Sequence, residues 1–152
     1  MPADMVKLIA LDMDGTLMST DHVTVSEENR RALRKAHEKG IKISIATGRT
    51  LSIIGDVCEQ VPEIDYVIFS NGAGVYDRRN GKVIYENYMT WEFCEPVIRY
   101  PDSDPLMTEV YCDGQSYMRS DSVKYIDSEY YPASFLDKLK EGTAFRLTLI
   151  HI

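Results

Sequence analysis

A chain of 152 residues with 44% hydrophobic and 27% charged content has the composition of one globular domain, or of one domain and part of a second, which excludes disordered and fibrous classes. Its formal net charge of −7 argues against a duplex nucleic-acid partner, which needs a basic patch to neutralise phosphates, so a small-molecule ligand fits better. No apolar run reaches the length of a membrane span, the opening MPADMVK lacks the features of a signal peptide, and Cys58, Cys94 and Cys112 are too widely spaced for a disulfide framework or zinc site; a cytoplasmic protein with reduced cysteines is expected.

In chain order, VKLIAL (Val6 to Leu11) is a nearly continuous apolar run, the pattern of a central parallel strand covered on both faces. SEENRRALRKAHEKG (Ser26 to Gly40) predicts a helix with Ser26 as N-cap, acids early, bases late and Gly40 as terminator. IKISIA (Ile41 to Ala46) is a second strand. Leu51, Ile54, Val57, Cys58 and Val61 recur at helical spacing before Pro62, and YVIF (Tyr66 to Phe69) is a third strand. Two hairpins follow, one turning at Asn80-Gly81 and one at Asp113-Gly114, and an α+β cap is expected to begin near Tyr85 to Thr90. Between them Trp91 to Tyr100 predicts a short helix limited by Pro96. SVKYIDSEYY and SFLDKLKEG read as further short helices, and FRLTLIHI as a last strand.

Alternating strands and helices of these lengths predict an α/β fold, a partial doubly wound parallel sheet with a partial α+β cap. Ligands of such sheets bind at the carboxyl ends of the strands. Each predicted strand runs there into a polar cluster: DMDGT after the first, TGR after the second and SNGA after the third. Along an extended strand, positions two apart point the same way, so Asp12 and Asp14 share a direction while Met13 faces away. Two like charges so placed repel, and a divalent cation reconciles them; Mg²⁺ suits an oxygen-rich site with few carboxylates. The pair also supplies a nucleophile beside a proton carrier. Gly15 permits a tight turn with N–H groups near an anion, and Thr16 and Thr47 offer hydroxyls.

DMDGT, ATGR and SNGA in this order and strand context resemble the haloacid dehalogenase-like hydrolases, and within them the Cof-type sugar-phosphatase branch, whose cap is inserted after the third strand. The resemblance implies Mg²⁺-dependent hydrolysis of a small phosphorylated metabolite, a sugar phosphate above all. Asp12 would be the nucleophile that forms an aspartyl phosphate, Asp14 the acid and base, and Thr47 a hydrogen-bond donor to the phosphoryl group. Gly15, Thr16, Gly48, Arg49, Asn71 and Gly72 would bind substrate, and Asp12 and Asp14 would hold the metal. Residues 1–85 would form the core and 86–152 the cap, with no nucleic-acid or membrane partner.

The family's phosphate-binding lysine and later GDxxND-like metal motif have no counterpart here, since Lys138 and Lys140 lie on an expected cap helix. The chain therefore reads as the N-terminal portion of such an enzyme. In that case VKLIAL becomes an exposed apolar edge, which favours aggregation or pairing with another chain and little or no turnover. A phosphomutase and a non-catalytic binder of phosphate or of a partner are the alternatives. Arg49 reads equally as a structural ion-pair partner, Asn71-Gly72 equally as a turn, and His22, His37 and His151 as surface or packing residues.

Overall fold

The computed structural model describes residues 6–98, 109–112, 115–118, 137 and 143–144. Strand β1 (Leu8–Asp12), helix α1 (Glu27–Glu38), strand β2 (Lys42–Ala46), helix α2 (Gly55–Gln60) and strand β3 (Ile64–Phe69) follow in the expected alternation, and β1, β2 and β3 pair in parallel in that order. The α/β reading holds. Ser26 caps α1 by accepting a hydrogen bond from the Asn29 N–H at 3.2 Å, and Gly40, at φ 79°, turns the chain out of the helix. The helix expected over Leu51 to Val61 is broken: Leu51–Ile53 forms one tight 3-10 turn, and α2 starts only at Gly55, beyond an Ile54 with φ −110°. The Arg78 guanidinium donates to the carbonyls of Ile64 at 2.9 Å and Cys58 at 3.2 Å, which ties α2 to β3.

The first hairpin, β4 (Gly74–Asp77) and β5 (Lys82–Glu86), extends the main sheet antiparallel to β3. Its start is fixed by packing. A side chain at Gly74 would meet the buried Phe69 ring, with an added Cβ 2.1 Å from Cζ, so only glycine lets the strand cross there. Helix α3 (Trp91–Ile98) contains Pro96. The second hairpin forms a separate sheet from β6 (Glu109–Cys112) and β7 (Gln115–Met118), to which β8 (Thr143–Ala144) adds in parallel, a pairing the sequence pattern did not suggest. The helices expected in SVKYIDSEYY and SFLDKLKEG and the strand expected in FRLTLIHI lie outside the described residues, apart from Asp137.

Leu11, Ile45, Val67 and Tyr76 are register partners across the sheet and so share one face. Both helices cover that face: α1 lies over Ile9 and Leu11, and α2 over Val67 and Tyr76. The core there is built from Leu17, Val25, Leu33, Ile43, Ile45, Ile54, Val57, Val61 and Val67. Among the described residues strand β1 occupies the sheet's edge. The Lys42 N–H donates to the Lys7 carbonyl at 2.9 Å, so the alternation of a parallel pair turns the peptide groups of Leu8, Ala10 and Asp12 away from β2. Leu8 is 49% exposed. The strand is thus not covered on both faces as its apolar run suggests, and among the described residues it forms an exposed apolar edge.

At the opposite end of the strands, the buried Asp65 accepts from Lys42 Nζ at 2.6 Å and the Ile43 N–H at 3.1 Å, with His37 at 3.6 Å and Arg79 at 3.7 Å. Burial pushes its carboxyl up, but the Lys42 and Ile43 hydrogen bonds outweigh it and hold the group below its ordinary 3.8. A depressed carboxylate stabilises the fold above the unfolded value, and that contribution is lost as pH falls through the folded one. Asp65→Asn is expected to lower stability at neutral pH by about 1–3 kcal/mol and to flatten the acid limb of urea-unfolding midpoints measured from about pH 7 to about pH 3.

Candidate active site

Strand β1 delivers Asp12 to the carboxyl end of the sheet, and the chain then winds through a wide turn, Met13–Leu17, closed by the Met18 N–H donating to the Met13 carbonyl at 2.9 Å. Buried Met13 and Leu17 anchor the turn in the core. Gly15 sits at φ 78° with open space where a Cβ would be, so backbone conformation rather than crowding demands glycine. The Asn29 amide donates to the Leu17 carbonyl at 3.0 Å and fastens the turn to the start of α1.

A small hairpin follows, bridged at Met18 and Val25. Its tip is shaped by Asp21, which accepts from the N–H groups of Val23 and Thr24 and from the Thr24 hydroxyl. Those bonds pull the Asp21 carboxyl down to about 2. The Gln60 side chain holds the hairpin to the end of α2, its oxygen accepting from the Val25 N–H and its nitrogen donating to the Val23 carbonyl, both at 2.8 Å.

The two carboxylates are treated differently. Asp12 is exposed, and no side-chain hydrogen bond or ion pair engages it among the described residues. Asp14 is gripped: Arg49 Nε donates to Oδ2 at 3.1 Å and an Arg49 terminal nitrogen to Oδ1 at 2.6 Å, while His22 Nδ1 lies 2.8 Å from Oδ1. Burial raises the Asp14 carboxyl, but the Arg49 fork first, and His22 after it, outweigh burial and leave the group below 3.8. Asp14 is accordingly a carboxylate.

Arg49 is itself buried, and its backbone is laced to the neighbouring loops. Its N–H donates to Thr47 Oγ1 at 3.1 Å, its carbonyl accepts from the Ser70 N–H at 3.0 Å, and the Asn71 N–H donates to the Thr47 carbonyl at 3.1 Å. Ser70, Asn71 and Gly72 hold φ values of 49°, 55° and 91°, a run of left-handed backbone of the kind that accumulates at functional sites. A Cβ on Gly48 would come 3.1 Å from Asn71 Oδ1, so the second and third loops meet there.

The structure therefore joins Asp14 with Arg49, Arg49 with Thr47, and Gly48 with Asn71. Gly15 and Gly72 are exposed on the adjoining turns, and Thr16 is exposed along the groove between β1 and α1. His22, read from sequence as a surface or packing residue, is the one missed. Asp21 with Thr24 three positions on signals a turn, but nothing local signals where its ring would reach.

For a metal, the described residues contain no cluster of three or more His, Cys, Asp or Glu side chains, so an all-protein cage is not what they offer. An unpaired carboxylate at Asp12, beside an Asp14 already matched by the Arg49 guanidinium, fits an ion such as Mg²⁺ that takes one or two carboxylates and completes its shell with water and phosphate oxygen.

A family model described as haloacid dehalogenase-like hydrolase matches residues 9–145. Similar proteins include 5-amino-6-(5-phospho-D-ribitylamino)uracil phosphatase YcsE of Bacillus subtilis, 43% identical over 47% of this chain and 28% of that protein. Phosphatase YwpJ, also of Bacillus subtilis, is 30% identical over 82% of this chain and 43% of its own length. Among solved structures, a haloacid dehalogenase-like hydrolase from B. subtilis superposes with a TM-score of 0.69 at 28% identity, covering 90% of this chain and 50% of that one. A subclass IIB sugar phosphatase superposes with a TM-score of 0.69 at 27% identity, covering 82% and 49%. The chain spans less than half the length of the two curated relatives.

Replacing Arg49 by Met should raise the Asp14 carboxyl, since burial remains and the largest opposing interaction is gone. In ¹³C spectra of aspartate-labelled protein, the Asp14 carboxyl is expected to titrate below 3.8 in the wild type and at higher pH in the variant.

Proposed function

Because the chain belongs to the haloacid dehalogenase-like hydrolases, we propose that it carries the reacting half of a Mg²⁺-dependent phosphatase of the Cof-type branch, acting in the cytoplasm on small phosphorylated metabolites such as sugar phosphates. The observation that carries this reading is the division of labour between the two carboxylates. Asp12 is unpaired and exposed at the strand end, while Asp14 is fixed by Arg49 and His22.

In the reaction, an Asp12 oxygen attacks phosphorus as the bond from phosphorus to the ester oxygen breaks, and the leaving oxygen takes a proton from the Asp14 carboxyl. Water then attacks phosphorus, gives its proton to the Asp14 carboxylate, and displaces Asp12 to release inorganic phosphate. Mg²⁺, held by the Asp12 carboxylate and the Asp14 backbone carbonyl, would supply positive charge where the anionic nucleophile meets an anionic ester. Thr47 and the N–H groups around Gly15 would bind phosphoryl oxygens, with Arg49, Gly48, Asn71, Gly72 and Thr16 toward the substrate. Held as it is, Asp14 favours the base role. Donating a proton requires the Arg49 fork to loosen, and a phosphoryl dianion is a natural competitor for that fork.

The edge of β1, unpaired among the described residues, supports a further part of the proposal: the chain self-associates there and turns over slowly, because Leu8 and Ala10 lie exposed on the strand that bears Asp12.

Two measurements test this. Phosphate release from a panel of sugar phosphates should require Mg²⁺ and fall to background in Asp12→Asn. Phosphoryl transfer to a second sugar hydroxyl would instead indicate a mutase, and Mg²⁺-dependent phosphate binding without turnover a non-catalytic binder. Separately, sedimentation should find oligomers that Leu8→Lys shifts toward monomer; a wild-type monomer would remove the self-association.

A further inference from the structure

We propose that His22 is a positioning residue that fixes the Asp14 carboxylate in one orientation, an assignment that rests on the phosphatase reading above. The two ends of His22 act on the two members of the same ion pair. Its ring nitrogen Nδ1 lies 2.8 Å from Asp14 Oδ1, and its backbone carbonyl accepts from the Arg49 terminal nitrogen at 3.0 Å. That same nitrogen donates to Asp14 Oδ1 at 2.6 Å, so Asp14, Arg49 and His22 close a ring of three mutual contacts. Since Asp14 is a carboxylate and accepts only, the proton in the contact belongs to His22 Nδ1, which fixes the imidazole tautomer.

The backbone is bent to make this possible. His22 has φ 55°, a left-handed conformation uncommon for a residue with a side chain. It is over-determined by its surroundings: the His22 N–H donates to the Ser19 carbonyl at 3.0 Å, the Ser19 N–H to the Thr24 carbonyl at 2.8 Å, Asp21 closes the turn from one side and Gln60 pins the strand behind it. Glycine would satisfy that backbone without strain. A histidine there is explained by its ring, whose contact lies on the one carboxylate that must hand a proton to the leaving oxygen. Without the ring, Arg49 still neutralises Asp14, but one anchor of Oδ1 is lost and the carboxylate turns more freely; a misplaced acid or base lowers the rate far more than it weakens binding.

The test compares His22→Gly, which keeps the backbone conformation and the carbonyl that Arg49 uses, with His22→Asn, which tolerates the same φ and restores an N–H donor near Nδ1. With p-nitrophenyl phosphate and Mg²⁺, His22→Gly should lower kcat about 10- to 100-fold with KM changed by less than about twofold, and His22→Asn should recover kcat to within about threefold. A His22→Gly enzyme with wild-type kcat would overturn the proposal and leave His22 a turn residue. Should the wild type release no phosphate, the phosphatase reading fails on its own, and the positioning is read from imidazole ¹⁵N shifts. The wild type should show His22 protonated at Nδ1, and Asp14→Ala should shift it toward the Nε2–H form; the same tautomer in both would sink the assignment.

Discussion

Two carboxylates placed one residue apart at the end of a strand repel each other, and most of what is unusual in this structure follows from how that repulsion is handled. The chain divides the pair instead of neutralising it evenly. Arg49 reaches from the loop after β2 to take both oxygens of Asp14, and Asp12 is left without a side-chain partner among the described residues. A buried guanidinium demands its own support, because an arginine taken out of water must spend its donors well. The support comes from three loops at once. Asp14 supplies the charge, His22 a carbonyl, and the backbone bonds of Thr47 and Ser70 hold the arginine's main chain in place. The left-handed run from Ser70 to Gly72 is where the third loop bends back to make that contact.

How much of this could be read from the chain depended on how local the signal was. Ser26 capping α1, Gly40 ending it and the apolar runs of β2 and β3 are decided within a few residues, and their positions in the structure match the sequence pattern closely. The break at Ile54 was not legible, because a helical spacing of apolar residues does not distinguish one continuous helix from a tight turn followed by a short helix. The first hairpin was legible as a hairpin, but its pairing with β3 was not; that depends on Gly74 passing under the Phe69 ring, a contact between strands.

At the site, Asp12, Asp14, Thr47, Gly48, Arg49 and Asn71 could be singled out because strand ends in such a sheet must converge. The question left open for Arg49, ion-pair partner or substrate contact, receives an answer for the chain without substrate: it is the partner of Asp14. His22 could not be found in this way. Its ring reaches Asp14 only because the hairpin folds back across the turn, with Gln60, 38 positions further along, holding the hairpin down. A single residue type in a turn carries no trace of such a contact.

Among the described residues strand β1 pairs with one neighbour only, and it is the strand that ends in Asp12. The placement of the exposed carboxylate is therefore as firm as one ladder of hydrogen bonds makes it, whereas the loops bearing Thr47 and Asn71 grow from strands held on both sides. Thermodynamic linkage then ties the far edge to the chemistry. On the proposed function, whatever adds to β1 and thereby orders Asp12 would tighten the hold on a phosphoryl group by some factor, and a bound phosphoryl group would tighten the hold on that added element by the same factor. On that reading, affinity for an edge partner and affinity for the anion would be two expressions of one coupling free energy.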